Sequence, residues 1–143
     1  MSRVSIALPE IFQFTTELPV LIGQVNSGNH LGNDALVSVM NEARVRFTRQ
    51  QGFLENDVAR GLTMVNADLA VVYQSEAHYG EVLVVSIAAV NFHRCGYDFV
   101  YRLTDKASGR AIAQGKTAHI LIDAEARKPI SEPPGYFDPL RSN

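Results

Sequence analysis

Apolar residues alternate with polar ones along the first third of the chain. From about Ile11 to Ile22, Phe12, Phe14, Leu18, Val20 and Ile22 share one parity, while Gln13, Thr15 and Glu17 take the other. A period of two predicts a half-buried strand. Pro19 cannot donate a ladder hydrogen bond, which places this strand at an edge or gives it a bulge. Gly23 to Gly32 is a polar loop rich in glycine and asparagine. The period then changes: Leu36, Val39, Met40, Ala43 and Phe47 recur at helical spacing. Asn33 is suited to cap that helix, Asp34 favours its positive start, and Gly52 stands where a C-terminal cap belongs. The expected helix runs from Asp34 to Gln51.

Strand patterns fill the rest. Val65, Ala67, Leu69, Val71 and Tyr73 alternate with polar neighbours, and His78 to Glu81 reads as a turn. Val82 to Phe92 is a nearly continuous apolar, β-branched run, as a central strand requires. Tyr97, Phe99, Tyr101 and Leu103 alternate after a break at His93 to Gly96. Ser108-Gly109 marks a hairpin loop before a last strand, Ala111 to Ile122. From Asp123 onward, charges and four prolines read as a loose tail, so the expected single domain has its core at about 11–123 and a tail at 124–143. Short connections favour antiparallel neighbours. The expected class is α+β, a curved antiparallel sheet of five strands around one long helix. Val82, Val84, Ala88, Val90 and Phe92 lie on one face of the central strand, and Leu83, Val85, Ile87 and Ala89 on the other. One helix cannot cover both faces, so a homo-oligomer is expected, a dimer or a dimer of dimers.

The 143 residues suit one domain, and a net charge of −2 gives no electrostatic case for nucleic acid. Cys95 is the single cysteine, so no internal disulfide forms. Met1 to Glu10 lacks the apolar region of a signal peptide, and no stretch approaches a membrane span of roughly 18 apolar residues. A cytoplasmic protein is expected. No phosphate-cradling glycine motif, Gly-x-Ser-x-Gly elbow or metal-ligand spacing occurs. Neither a metal nor a separate cofactor is expected.

A strand, a Gly/Asn loop, one long helix and a four-strand meander is the layout of the hotdog fold. His30 to Arg44, HLGNDALVSVMNEAR, resembles the loop–helix signature of 4-hydroxybenzoyl-CoA thioesterase-like proteins and acyl-CoA thioester hydrolases. That signature reads Asp-x-x-Gly-His-Val-Asn-Asn, then Tyr-Leu, then Phe-Glu-x-Ala-Arg, and His30, Asn33, Ala43 and Arg44 match it in register. Tyr73, Tyr79-Gly80-Glu81, Phe99/Tyr101 and Gly115-Lys116-Thr117 fall where the family has similar segments, so the resemblance spans about Phe12 to Pro133. There are departures. The family's loop acid is Asn26 here, the glycine before the histidine is Asn29, and the helix acid is Asn41. Glu42 is the nearest carboxylate. By its spacing from His30 it matches the helix glutamate of plant acyl-carrier-protein thioesterases.

The resemblance implies hydrolysis of an acyl-CoA or acyl-carrier-protein thioester, in which CoA is part of the substrate. The reaction needs an attacking oxygen and donors for the oxyanion, and a helix N-terminus at Gly32 to Asp34, with the Asn33 N–H foremost, would supply the donors. Asn26 either holds water or the carbonyl, or forms a turn. His30 either orients or deprotonates water, or anchors the loop backbone. Glu42 is either the base or half of a surface pair with Arg46. Asp68 either approaches a partner's site or is a paired strand residue. Of the scattered cations Arg94, Arg102, Lys116 and Lys128, the resemblance favours Arg94, Gly96 and Lys116 for the CoA moiety. Two other readings compete: a protein that binds an acyl thioester without cleaving it, and a hotdog dehydratase or hydratase. The latter is disfavoured because its prolines around the histidine are missing here.

Overall fold

A computed structural model describes residues 3–141. Strand β1 (Phe14–Pro19) is followed by helix α1 (Asn33–Gln50), a two-residue strand β2 (Asn56–Asp57), and the long strands β3 (Leu62–Tyr73), β4 (Val82–His93), β5 (Gly96–Asp105) and β6 (Ala111–Asp123). A short helix α2 (Asp138–Arg141) follows. The six strands form one antiparallel sheet in the order β1-β4-β5-β6-β3-β2. The sheet curls around α1 as a hotdog fold. It has six strands rather than the expected five because β2 contributes one pair of rungs against Thr63 and Leu62, too short to show a period. Pro19 lies on an edge strand, where its missing N–H costs nothing.

Odd-numbered residues of β4, β5 and β6 point at the helix. Leu83, Val85, Ile87, Tyr97, Phe99, Tyr101, Leu103 and Leu121 are sealed beneath Leu36, Val39, Met40, Ala43 and Phe47. Register shifts at Asn66/Asp68 and Val90/His93 bend the strands around the helix, the second with Asn91 in the left-handed region at φ 55°. Two glycines are required by contact. A Cβ on Gly96 would collide with the His119 carbonyl oxygen, and one on Gly115 would collide with the Met40 methyl. The end of α1 is a Schellman motif: Gly52, at φ 68°, donates to Arg49, and Phe53 donates to Thr48.

Two expectations are corrected. Gly32, not Asn33, is the N-cap, and Asn33 is the first helical residue. The segment after β6 is docked rather than loose. Phe137 and Leu140 are fully buried, Phe137 packs against Phe53, Phe92 and Tyr97, and the Tyr136 hydroxyl donates to Asp57. The outer face of the sheet is partly covered by this chain itself. Residues 5–7 lie by Ala70 and Val100, and Phe12 stacks under Arg102 at 4.7 Å. The remaining invitation to a partner is the outer edge of β3. Past Met64, no backbone hydrogen bond to that edge occurs among the described residues, and Leu69 and Tyr73 stand about half exposed there.

Candidate active site

The loop between β1 and α1 is a set of turns that aims at the helix start. Asn26 Oδ1 accepts from the Gly28 N–H at 2.9 Å, and the Asn26 N–H donates to the His30 carbonyl. Asn26 is thus the turn former, its amide oxygen spent on the loop. Asn29 takes φ 63°, a conformation asparagine tolerates. The Gly32 N–H donates to the Gln24 carbonyl, and the Leu31 N–H donates to the Ala77 carbonyl in the connection between β3 and β4. These bonds clamp the loop between two neighbours and fix where α1 begins.

No side chain caps α1. The Leu36 N–H is the first to bond within the helix, to Gly32. The N–H groups of the first turn therefore keep their hydrogen-bonding capacity, and the helix dipole adds partial positive charge there. Because the Gly32 N–H is already used, the expected donor range of Gly32 to Asp34 narrows to Asn33 and Asp34. Asn33 faces a cavity of about 280 Å³ at the end of the barrel-like curl. Leu31, Leu36, Ala77 and Ile112 form its apolar inner surface, and His30, Tyr73, Ser75 and Glu76 its polar rim. The Tyr73 hydroxyl donates to the Asn33 carbonyl at 2.9 Å, closing the gap between β3 and the helix.

His30 stands at the rim. Its Nδ1 lies 3.3 Å from the Leu31 carbonyl. A carbonyl only accepts, so this contact places the proton on Nδ1 and leaves Nε2 as the basic nitrogen. Nε2 faces Glu76 Oε1 at 3.7 Å, and His78 approaches the other Glu76 oxygen at 3.9 Å. A network behind the rim holds this strand end. Arg110 donates to the Glu76 carbonyl, to Ser75 Oγ and to both oxygens of Glu81. Burial pushes the Glu81 carboxyl up, but the His78 N–H and the Arg110 guanidinium outweigh it and hold it below the usual range.

The structure brings His30 and Asn33 together, with Asn26 behind them, and leaves the other candidates elsewhere. Glu42 accepts from Arg46 Nε at 2.8 Å, and Arg46 goes on to Thr16 and the Glu17 carbonyl. These four residues tie α1 to β1 beside a separate groove, which is the surface-pair alternative. Asn41 accepts from Arg44, whose Nε pairs with Glu55 at 3.1 Å. Lys116 lies on the outer face, held by both oxygens of Asp68 at 2.9 Å and near Asp98 at 4.0 Å. Asp68 is thus a paired strand residue within this chain. Arg94 donates to Ser131, and Gly96 packs on His119. Both lie at the opposite end of β5, whose ten residues span about 30 Å, so within one chain they do not share the His30 cavity. Among the described residues no cluster of three metal-ligating side chains occurs, and no helix is long and apolar enough to cross a membrane.

Residues that pattern reading missed are Glu76, Tyr73 as a wall, and Arg110. Glu76 sits in a polar stretch 46 positions from His30, and nothing in its neighbours marks it. Tyr73 is visible in the sequence as a strand member and as part of the family resemblance, but not as a wall of the cavity.

Comparison with known proteins decides the family. Residues 20–138 match the model of the thioesterase-like superfamily. The chain belongs to that superfamily. Among solved structures it is similar to Slr0204, a 1,4-dihydroxy-2-naphthoyl-CoA thioesterase from Synechocystis, with a TM-score of 0.83 at 17% identity over 90% of this chain and 96% of that one. It is similar to the SAV2348 protein from Staphylococcus aureus, solved in complex with CoA, with a TM-score of 0.82 at 18% identity over 94% and 86%. It also resembles YbaW, a probable thioesterase from Escherichia coli, with a TM-score of 0.73 at 16% identity over 88% and 95%. At these identities the likeness is one of fold. No curated protein matches the chain.

Proposed function

We propose that this thioesterase-like protein hydrolyses an acyl-CoA thioester to the free acid and CoA, at the cavity where α1 begins. The observation that supports the reading is the pairing of an uncapped helix start with a histidine that lines the same cavity and whose Nε2 stands by Glu76. The thioester carbonyl sits against the Asn33 N–H. His30 Nε2 takes a proton from a water, and the water oxygen attacks the carbonyl carbon. The oxyanion that forms is held by the N–H groups at the helix start. The C–S bond then breaks, and the imidazolium returns its proton to the departing thiolate. The Glu76 carboxylate beside Nε2 stabilises the imidazolium between these steps.

The active unit in this reading is a homodimer joined along the free edge of β3. Extending the sheet there satisfies the open backbone groups and covers Leu69 and Val71. CoA itself is part of the substrate, and no separate cofactor enters the scheme.

Free-thiol release from a panel of short, long and aromatic acyl-CoAs tests the proposal, with wild type compared to His30→Ala and Asn26→Ala. We expect turnover in the wild type, a loss of 100-fold or more in His30→Ala, and a smaller loss in Asn26→Ala, whose role is to shape the loop. Tight binding of acyl-CoA with no thiol release would replace the hydrolase by a thioester-binding protein, a reading favoured by the amides at positions 26 and 41.

A further inference from the structure

The cavity ends soon after it begins. Its inner surface is Leu36 and Ile112, exposed by 3% and 1%. One helical turn further in, Met40 fills the space above Gly115, its methyl where a Cβ would otherwise stand. Below it Phe47, Phe99 and Tyr101 are fully buried. Among the described residues, packed side chains fill the space between helix and sheet beyond this point. Toward β3, the Tyr73–Asn33 hydrogen bond closes the side wall. On the loop side, Leu31 is clasped to the Ala77 carbonyl at 2.7 Å.

The volume sets a limit on what this end can bury. At about 30 Å³ for each water-sized group, 280 Å³ holds roughly nine non-hydrogen atoms. A thioester places its carbonyl carbon, oxygen and sulfur at the helix start, which leaves about six atoms. From this we infer that the cavity selects thioesters of short or compact acyl groups, of no more than about seven carbons, with Leu36 and Ile112 as the residues that set the limit. The inference rests on the hydrolase reading for its location, since it takes the helix start as the thioester position. Each methylene added within the limit is worth about fourfold in affinity for the cavity. Beyond it, a longer chain displaces packed side chains or is left in water.

Two ligand series separate this inference from the activity. S-alkyl-CoA thioethers, from ethyl to hexadecyl, cannot be hydrolysed and report binding alone, read by calorimetry. The matching acyl-CoAs report turnover. We expect both series to rise to a maximum at or below about seven carbons and to fall at least tenfold by dodecyl. Leu36→Ala removes three carbons from the inner wall and moves the maximum about three carbons longer. Ile112→Val is the milder change and moves it by about one, and a thermal melt confirms that each variant is folded. A thioether maximum at short length without any turnover leaves the size limit standing and removes the hydrolase reading. Affinity or turnover that keeps rising to hexadecyl overturns the limit and leaves the hydrolase reading intact. A maximum that neither folded variant moves also overturns it, and absence of binding throughout overturns both.

Discussion

His119 gives a prediction whose size follows from its surroundings. It is fully buried, stacked on Tyr97 at 5.5 Å, with Nε2 2.7 Å from the Thr117 hydroxyl, which in turn meets the Tyr101 hydroxyl at 2.8 Å. Its Nδ1 has no partner among the described residues. Burial, reinforced by the Arg44 guanidinium, pushes its pKa down from 6.5 to about 3. In the unfolded chain the imidazole takes up a proton as pH falls through 6.5; in the folded chain it stays neutral until about pH 3. The unfolded state therefore binds more protons across that window. The His119 contribution to stability is complete above pH 6.5 and is lost as pH falls below it. Between pH 7.5 and pH 5 the loss is about 2 kcal/mol. Carboxylates held low by partners, such as Asp105 and Glu132, add their own losses only at more acid pH. Urea unfolding at fixed protein concentration measures the effect. With a slope near 2 kcal/mol per molar, the midpoint of wild type falls by about 1 M over this range. His119→Gln keeps an amide near Thr117, lowers the midpoint at pH 7.5, and flattens the dependence on pH. Parallel losses in wild type and variant would refute the reasoning, because the proton responsible would then bind elsewhere.

Gly96→Ala places its Cβ against a backbone oxygen that cannot step aside, so a loss of more than about 3 kcal/mol is expected in a denaturant titration; a stable variant with weakened CoA binding would instead return Gly96 to the ligand. Glu42→Ala removes an exposed ion pair, with an expected cost of a few tenths of a kcal/mol and turnover within about twofold of wild type; a loss of 100-fold would make Glu42 the base. Leu69→Lys puts a charge on the open edge of β3, and light scattering is expected to show a monomer in place of a dimer. An unchanged mass would move the interface elsewhere.

Much of this architecture is visible in the chain because the sheet is buried on its inner face. The nearly continuous apolar run from Val82 to Phe92 marks an interior strand, and Pro19 marks an edge or a bulge, of which the structure shows the edge. The change of period at Leu36 marks the helix to within a residue. The C-terminal docking was hidden for a different reason. Phe137 and Leu140 are two isolated apolar residues among prolines and charges, too few to show a period, yet they fill the end of the core beside Phe53 and Tyr97. At the site, His30 and Asn33 were legible because both lie in one contiguous loop–helix segment. Glu42 lies away from that cavity, because spacing along the chain does not say which way a helical residue faces, and a carboxylate one position from Asn41 is turned by about 100°. Glu76 and Tyr73 reach the cavity only through the pairing of β3 with β6, a contact that a local pattern does not record.

The helix start as oxyanion site is the central claim, and Asn33→Pro tests it most directly. Proline is well tolerated as the first helical residue, and Gly32 already holds the extended conformation that a residue before proline adopts, at φ −64° and ψ 149°. The substitution therefore deletes one N–H and leaves the Asn33 carbonyl to accept from Tyr73. Asn33→Ala, which loses the side chain but keeps the N–H, is the control. The account predicts that kcat for acyl-CoA hydrolysis falls by about 100-fold or more in Asn33→Pro and stays within a few-fold of wild type in Asn33→Ala. Full activity in a folded Asn33→Pro protein would contradict it.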